Sequence, residues 1–136
     1  MYGGSHGIST GGVENIVVDS CVIGYIGGTY QMSGKTVRFG NGIEVWGGCD
    51  GYTIKNCHVY QCYDAGITMQ FQGQTENTII EQNILFDGNL LELNNYNIEY
   101  FLTPEPNGDS TFKNVSIKNN IVRGGGYGWG FYSRPD

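Results

Sequence analysis

Two carboxylates, Glu44 and Glu92, occupy similar places in two short alternating segments, Ile43-Glu44-Val45-Trp46 and Leu91-Glu92-Leu93-Asn94. Apolar residues on either side of a polar one are the pattern of a strand with one buried face. With Ile43, Val45, Ile67, Met69, Leu91 and Leu93 turned inward, Ser9, Glu44, Thr68 and Glu92 form one outward column. Trp46, Gln70, Asn94 and Tyr132 form the next. Two strand spacings of about 4.8 Å would then set the backbones of Glu44 and Glu92 about 9.6 Å apart. Carboxyl separations of roughly 6.5–9.5 Å suit inverting glycoside hydrolysis, in which a water fits between the base and the sugar. Glu44 is the expected base. Glu92, beside the aromatic stretch with Tyr96, Tyr100 and Phe101, is the expected acid through partial desolvation. Trp46 and Tyr132 would stack on sugar rings, and Thr68, Gln70 and Asn94 would bind hydroxyls. A solvated strand face accounts equally for the Glu, Thr and Gln residues, less easily for an exposed Trp.

These columns depend on a repeat. Gly42 to Gly66 spans 24 positions and holds three strand-like pieces separated by turns, which is the size of one solenoid coil. Aligning the chain on the residue before each tight turn gives Val18-Asp19-Ser20-Cys21, Ile54-Lys55-Asn56-Cys57, Ile80-Glu81-Gln82-Asn83 and Ile117-Lys118-Asn119-Asn120. Upstream stand Ile16, Tyr52, Thr78 and Val115, and downstream Ile23, Val59, Leu85 and Val122, all except Thr78 suited to a buried strand. The alignment predicts one turn ladder of Cys21, Cys57, Asn83 and Asn120. Runs of four or five residues broken by Gly, Asn and Asp leave no room for helices. The predicted fold is all-β, a right-handed parallel β-helix of about four coils over residues 1–136, incomplete, with insertions near 24–40 and 94–111. The outward positions of the third strands are apolar. Two readings are open for them: the first insertion folds over that face, or it binds a partner.

The chain has 136 residues, 23 of them Gly, is 39% hydrophobic and carries a net charge of −6 with only 7 Lys and Arg. So few cations offer phosphates nothing to neutralise, which argues against nucleic acid and anionic membranes as partners. No signal peptide is legible at Met1 to Gly4, so export to an extracellular or cell-surface location would need a signal outside this chain. Cys21 and Cys57 share one turn column a coil apart, while Cys49 and Cys62 fall at other corners, which favours free thiols over a disulfide framework. No cofactor is expected. Asp64 and Asp87, at similar corners, are the one candidate calcium pair, although turn aspartates usually bind their own backbone. Unpaired strand edges at both ends of a short solenoid predict end-to-end self-association.

The succession Ser5-His6-Gly7-Ile8-Ser9-Thr10, then Val13 to Ile23, then Asn41-Gly42-Ile43-Glu44-Val45-Trp46 resembles the coils of the pectate-lyase-like superfamily. In layout it is similar to the polygalacturonase Gly-His-Gly-Ile-Ser and Gly-Ile-Arg-Ile-Lys strands. That resemblance implies a β-helix with its polysaccharide groove on the first sheet and places His6 beside the catalytic centre. Glu44 and Trp46 stand where that family has its substrate-binding Arg and Lys, which points from polyuronates toward neutral sugars. The expected function is a polysaccharide-cleaving domain of glycoside hydrolase or lyase type. The alternative is a non-catalytic glycan-binding or adhesin-like segment of a larger surface protein.

Overall fold

The computed structural model describes residues 4–71, 78–102, 111–126 and 130–131. Among these there are no helices. The chain visits three parallel sheets in turn. The first round is β1 (Ile8–Gly11), β2 (Glu14–Asp19) and β3 (Val22–Gly24), followed by a hairpin of β4 (Gly28–Met32) and β5 (Lys35–Phe39). The second is β6 (Ile43–Trp46), β7 (Asp50–Lys55) and β8 (His58–Tyr60). Next come β9 (Ala65–Phe71), β10 (Ile80–Asp87) and β11 (Leu90–Glu92), then β12 (Tyr96–Leu102), β13 (Thr111–Lys118) and β14 (Ile121–Arg123), with β15 (Gly130–Phe131) opening another. The first sheet has the order β1-β6-β9-β12-β15, the second β13-β10-β7-β2 and the third β14-β11-β8-β3. Stacked parallel sheets with this order are consistent with a β-solenoid.

The core is a set of columns running along the stack. Ile8, Ile43, Ile67 and Ile98 face inward from the first sheet, Val18, Ile54, Phe86 and Ile117 from the second, and Ile23, Val59, Leu91 and Val122 from the third. Each fully buried Ile, Leu or Phe contributes roughly 1.5–3 kcal/mol of apolar transfer.

Each second-sheet strand contains a left-handed residue near its start, Asn15, Gly51, Asn83 and Asn114, and is followed by another at its end, Ser20, Asn56, Gly88 and Asn119. This corrects the expected turn ladder. Asn83 sits inside β10, opposite Gly51, where its left-handed backbone kinks the strand. The residue that joins Cys21, Cys57 and Asn120 is Asn89. The Asn89 side chain accepts the Cys57 backbone N–H at 2.9 Å and donates to the Ile54 carbonyl at 3.0 Å, while Asn120 does the same for Asn89 and Phe86. The sequence frame was therefore six residues early in this round, and Thr78 was its misfit. Asn tolerates the left-handed region at a kink as readily as at a turn, so the two look alike in sequence.

The shift propagates. Leu90–Glu92 is a third-sheet strand, and the next first-sheet strand is β12. The second insertion is accordingly shorter than 94–111, since residues 94–102 form a corner and a strand and 103–110 lie outside the described residues.

The first insertion, near 24–40, is the β4–β5 hairpin, closed by Ser33-Gly34, both with positive φ as tight hairpin turns require. Its base docks at the corner between the third and first sheets, where Tyr63 N–H bonds the Ile26 carbonyl and Asp64 N–H that of Gly40, while Phe39 meets His6 edge-on at 5.3 Å. Tyr25 meets Tyr60 of the third sheet edge-on at 5.4 Å, but most of that sheet stays uncovered, with Val22 and Ile121 50% and 60% exposed.

Candidate functional site

On the outward side of the first sheet, the register places Ser9, Glu44, Thr68 and Glu99 in one column and Gly11, Trp46 and Gln70 in the next. Glu44, Trp46, Thr68 and Gln70 therefore lie where the alternation put them. Glu92 and Asn94 do not. Glu92 is on the third sheet, in register with Tyr60 and Arg123, and Glu99 takes its place beside Thr68. Asn94 is a buried corner residue: its side chain accepts the Cys62 N–H at 2.9 Å and donates to the Val59 carbonyl at 3.1 Å. Tyr132 lies outside the described residues.

Glu44 is the hub of the site. Ser9 Oγ donates to its Oε2, while Asn41 Nδ2, at 2.9 Å, and Gln70 Nε2 donate to its Oε1. Asn41 is itself held, because its Oδ1 accepts the Ala65 backbone N–H at 3.1 Å. Strand register thus brings together donors from three successive rounds of chain. His6 Nδ1 lies 3.9 Å from Glu44 Oε2 and, although buried, has no hydrogen-bond partner among the described residues. Thr68 Oγ1, the next outward group along the column, is also buried and has none among them. Glu44 and Glu99 are 6% and 3% exposed, whereas Trp46 is 43% exposed at the edge of the cluster. The Trp46 ring lies across the glycine of the neighbouring strand: a Cβ on Gly11 would come within 2.7 Å of it.

Glu92 belongs to a different group. His58 Nε2 lies 2.8 Å from its Oε1 and Arg123 Nε donates to its Oε2 at 2.7 Å, so both oxygens are engaged by neighbouring strands. The Arg123 hydrogen bond first, then that from His58, hold its carboxyl below the usual range, the reverse of what a general acid needs. Tyr96 is buried in β12 and Tyr100 turns inward to meet Phe112 at 6.4 Å, and what desolvation raises the Glu92 carboxyl is outweighed by its two hydrogen bonds.

The calcium pair is separated as well. Asp64 is buried at the corner before β9, whereas Asp87 ends β10 and pairs with Lys118 and Asn119. All four cysteines are free thiols. Sequence reasoning missed three polar residues: Asn41, which the repeat hid as a turn residue, Glu99, which stands seven residues after Glu92 and takes its expected place, and Glu81, which faces the interior. No protein-family model, curated protein or solved structure matches this chain.

Proposed function

We propose that this protein is a right-handed parallel β-helix of about four coils that acts on a polysaccharide or oligosaccharide at its first sheet, as a cleaving domain of glycoside hydrolase or lyase type. The observation that carries this reading is the pair of buried polar atoms, His6 Nδ1 and Thr68 Oγ1, that have no partner among the described residues and lie beside the fixed Glu44 carboxylate. Buried polar atoms are ordinarily satisfied, and here the missing partners are of the kind that sugar hydroxyls supply. Trp46 provides a ring face at the margin, held flat over Gly11. The second carboxyl is Glu99, two strand spacings from Glu44 and so about 9.6 Å away along the backbone. In hydrolysis one of the two takes the proton of the attacking water as the other protonates the leaving oxygen. No cofactor and no nucleic-acid or membrane partner enters this reading.

A panel of neutral and acidic glycans, assayed for binding and for release of reducing ends or unsaturated products, tests it. Glu44→Gln and Glu99→Gln should each lower turnover by about 10²–10⁴ while retaining binding, and Trp46→Ala should weaken binding. Cleavage unaffected by both Gln variants would remove the catalytic assignment. The second reading, a glycan-binding or adhesin-like segment without activity, is favoured by the low exposure of Glu44 and Glu99. Binding that depends on Trp46 without any cleavage would identify it.

A further inference from the structure

Glu81 is a buried acid that the first-sheet site does not use. It lies at the inner side of the corner between the first and second sheets, is 0% exposed, and neither carboxyl oxygen has a side-chain hydrogen-bond partner among the described residues. Its neighbours along the column are Cys49, whose carbonyl accepts the Gln82 N–H at 2.9 Å, and Phe112, its register partner on β13. An ionised carboxylate in such a place has lost its hydration and gained little in exchange.

The surrounding described groups offer little compensation. From the β7 side Cys49 and Tyr52 face this corner, and from β12 comes Tyr100, through its contact with Phe112. Burial raises the Cys49 thiol and the Tyr52 phenol above their ordinary values, so both stay neutral where Glu81 would ionise. The flanking charges, Glu14, Asp50 and Lys113, lie on the outward face, where Asp50 is taken up by Gln82 and Asn83. Burial pushes the Glu81 carboxyl up to about 8, and the nearby Gly48 amide offsets only part of this.

The corner also carries the exposed aromatic ring of the first sheet. Trp46 is followed by Gly47 and Gly48, both in the left-handed region, and then by Cys49, whose Sγ lies 3.2 Å from the Trp46 carbonyl. We propose that Glu81 is a proton-held latch: its neutral carboxyl keeps the Trp46–Asp50 corner packed, and loss of the proton loosens that corner, exposing Cys49 and releasing the backbone that sets Trp46.

Pulsed alkylation of the full chain with iodoacetamide, followed by peptide mass mapping, tests this. Cys57, a buried thiol in a different corner, corrects for the general rise of thiolate with pH. Between pH 6.5 and 9 the ratio of Cys49 to Cys57 labelling should rise about tenfold or more in the wild type and stay flat in Glu81→Gln. Equal pH dependence in the two proteins would overturn the proposal. Should Glu81→Gln not fold, Glu81→Met serves as the second variant, and an undiminished rise in that protein would overturn it equally.

Discussion

Asn89 Oδ1 accepts the backbone N–H of Cys57 at 2.9 Å, across 32 residues of sequence and one step of the stack. That hydrogen bond identifies the true turn ladder and the frame of everything after it. Asn89→Ala would leave the buried Cys57 N–H and the Ile54 carbonyl unpaired, at a cost of about 2–4 kcal/mol. Asn83→Gly, at the exposed kink, keeps the left-handed backbone without strain and gives up only two exposed side-chain hydrogen bonds, with Asp50 and Asn114, so it should cost about 1 kcal/mol, less than Asn89→Ala. Urea denaturation of the two variants reads the difference directly.

Gly11→Ala should displace the Trp46 ring, because the added Cβ would come within 2.7 Å of it. Near-ultraviolet circular dichroism should change in the tryptophan band while the far-ultraviolet spectrum is kept. In the proposed function, glycan affinity should fall about as far as in Trp46→Ala. An unchanged tryptophan band would mean that Gly11 does not seat the ring.

Glu92 should titrate below the usual glutamate range in a carboxyl-detected NMR titration, and Arg123→Gln should move it upward more than His58→Gln does. A carboxyl lowered in the folded state stabilises the protein above its unfolded pKa, and that contribution disappears as pH falls through the folded value. Removing Arg123 should therefore reduce stability at neutral pH and leave the strongly acidic limit unchanged.

The raised acid has the opposite sign. For Glu81, lifted to about 8 from an ordinary 4.5, the unfolded chain binds fewer protons than the folded one between those values. Its contribution to stability should therefore fall from about pH 4.5 to pH 8 and level off above. The urea midpoint of Glu81→Gln should lack this decline, which locates the pH dependence in one side chain.

Strands β13 and β14 each stand at the edge of a sheet, as β2 and β3 do at the opposite edges. Edge strands of this kind favour pairing with another copy. Sedimentation velocity should show the average mass rising with concentration; an ideal monomer over a hundredfold range would count against this.

The all-β class, the solenoid repeat and the inward columns around Ile43, Ile54 and Val59 were determined by the sequence alone, because alternation and glycine-rich turns are local signals. So were the outward placements of Glu44, Trp46, Thr68 and Gln70, which lie in or beside the regular second round. Tertiary structure alone decided the rest. A parallel stack selects the frame in which each strand's hydrogen bonds and buried column agree with the strands beside it. In the third round Ile84, Phe86 and Leu91 fill the core in one frame only, although Asn83 and Asn89 both read locally as turn asparagines. That choice moved Glu92 to the third sheet, between His58 and Arg123, and brought Glu99 to the first. The kink at Asn83 also resets the alternation along β10, so that Glu81, an ordinary polar residue in sequence, is carried into the interior.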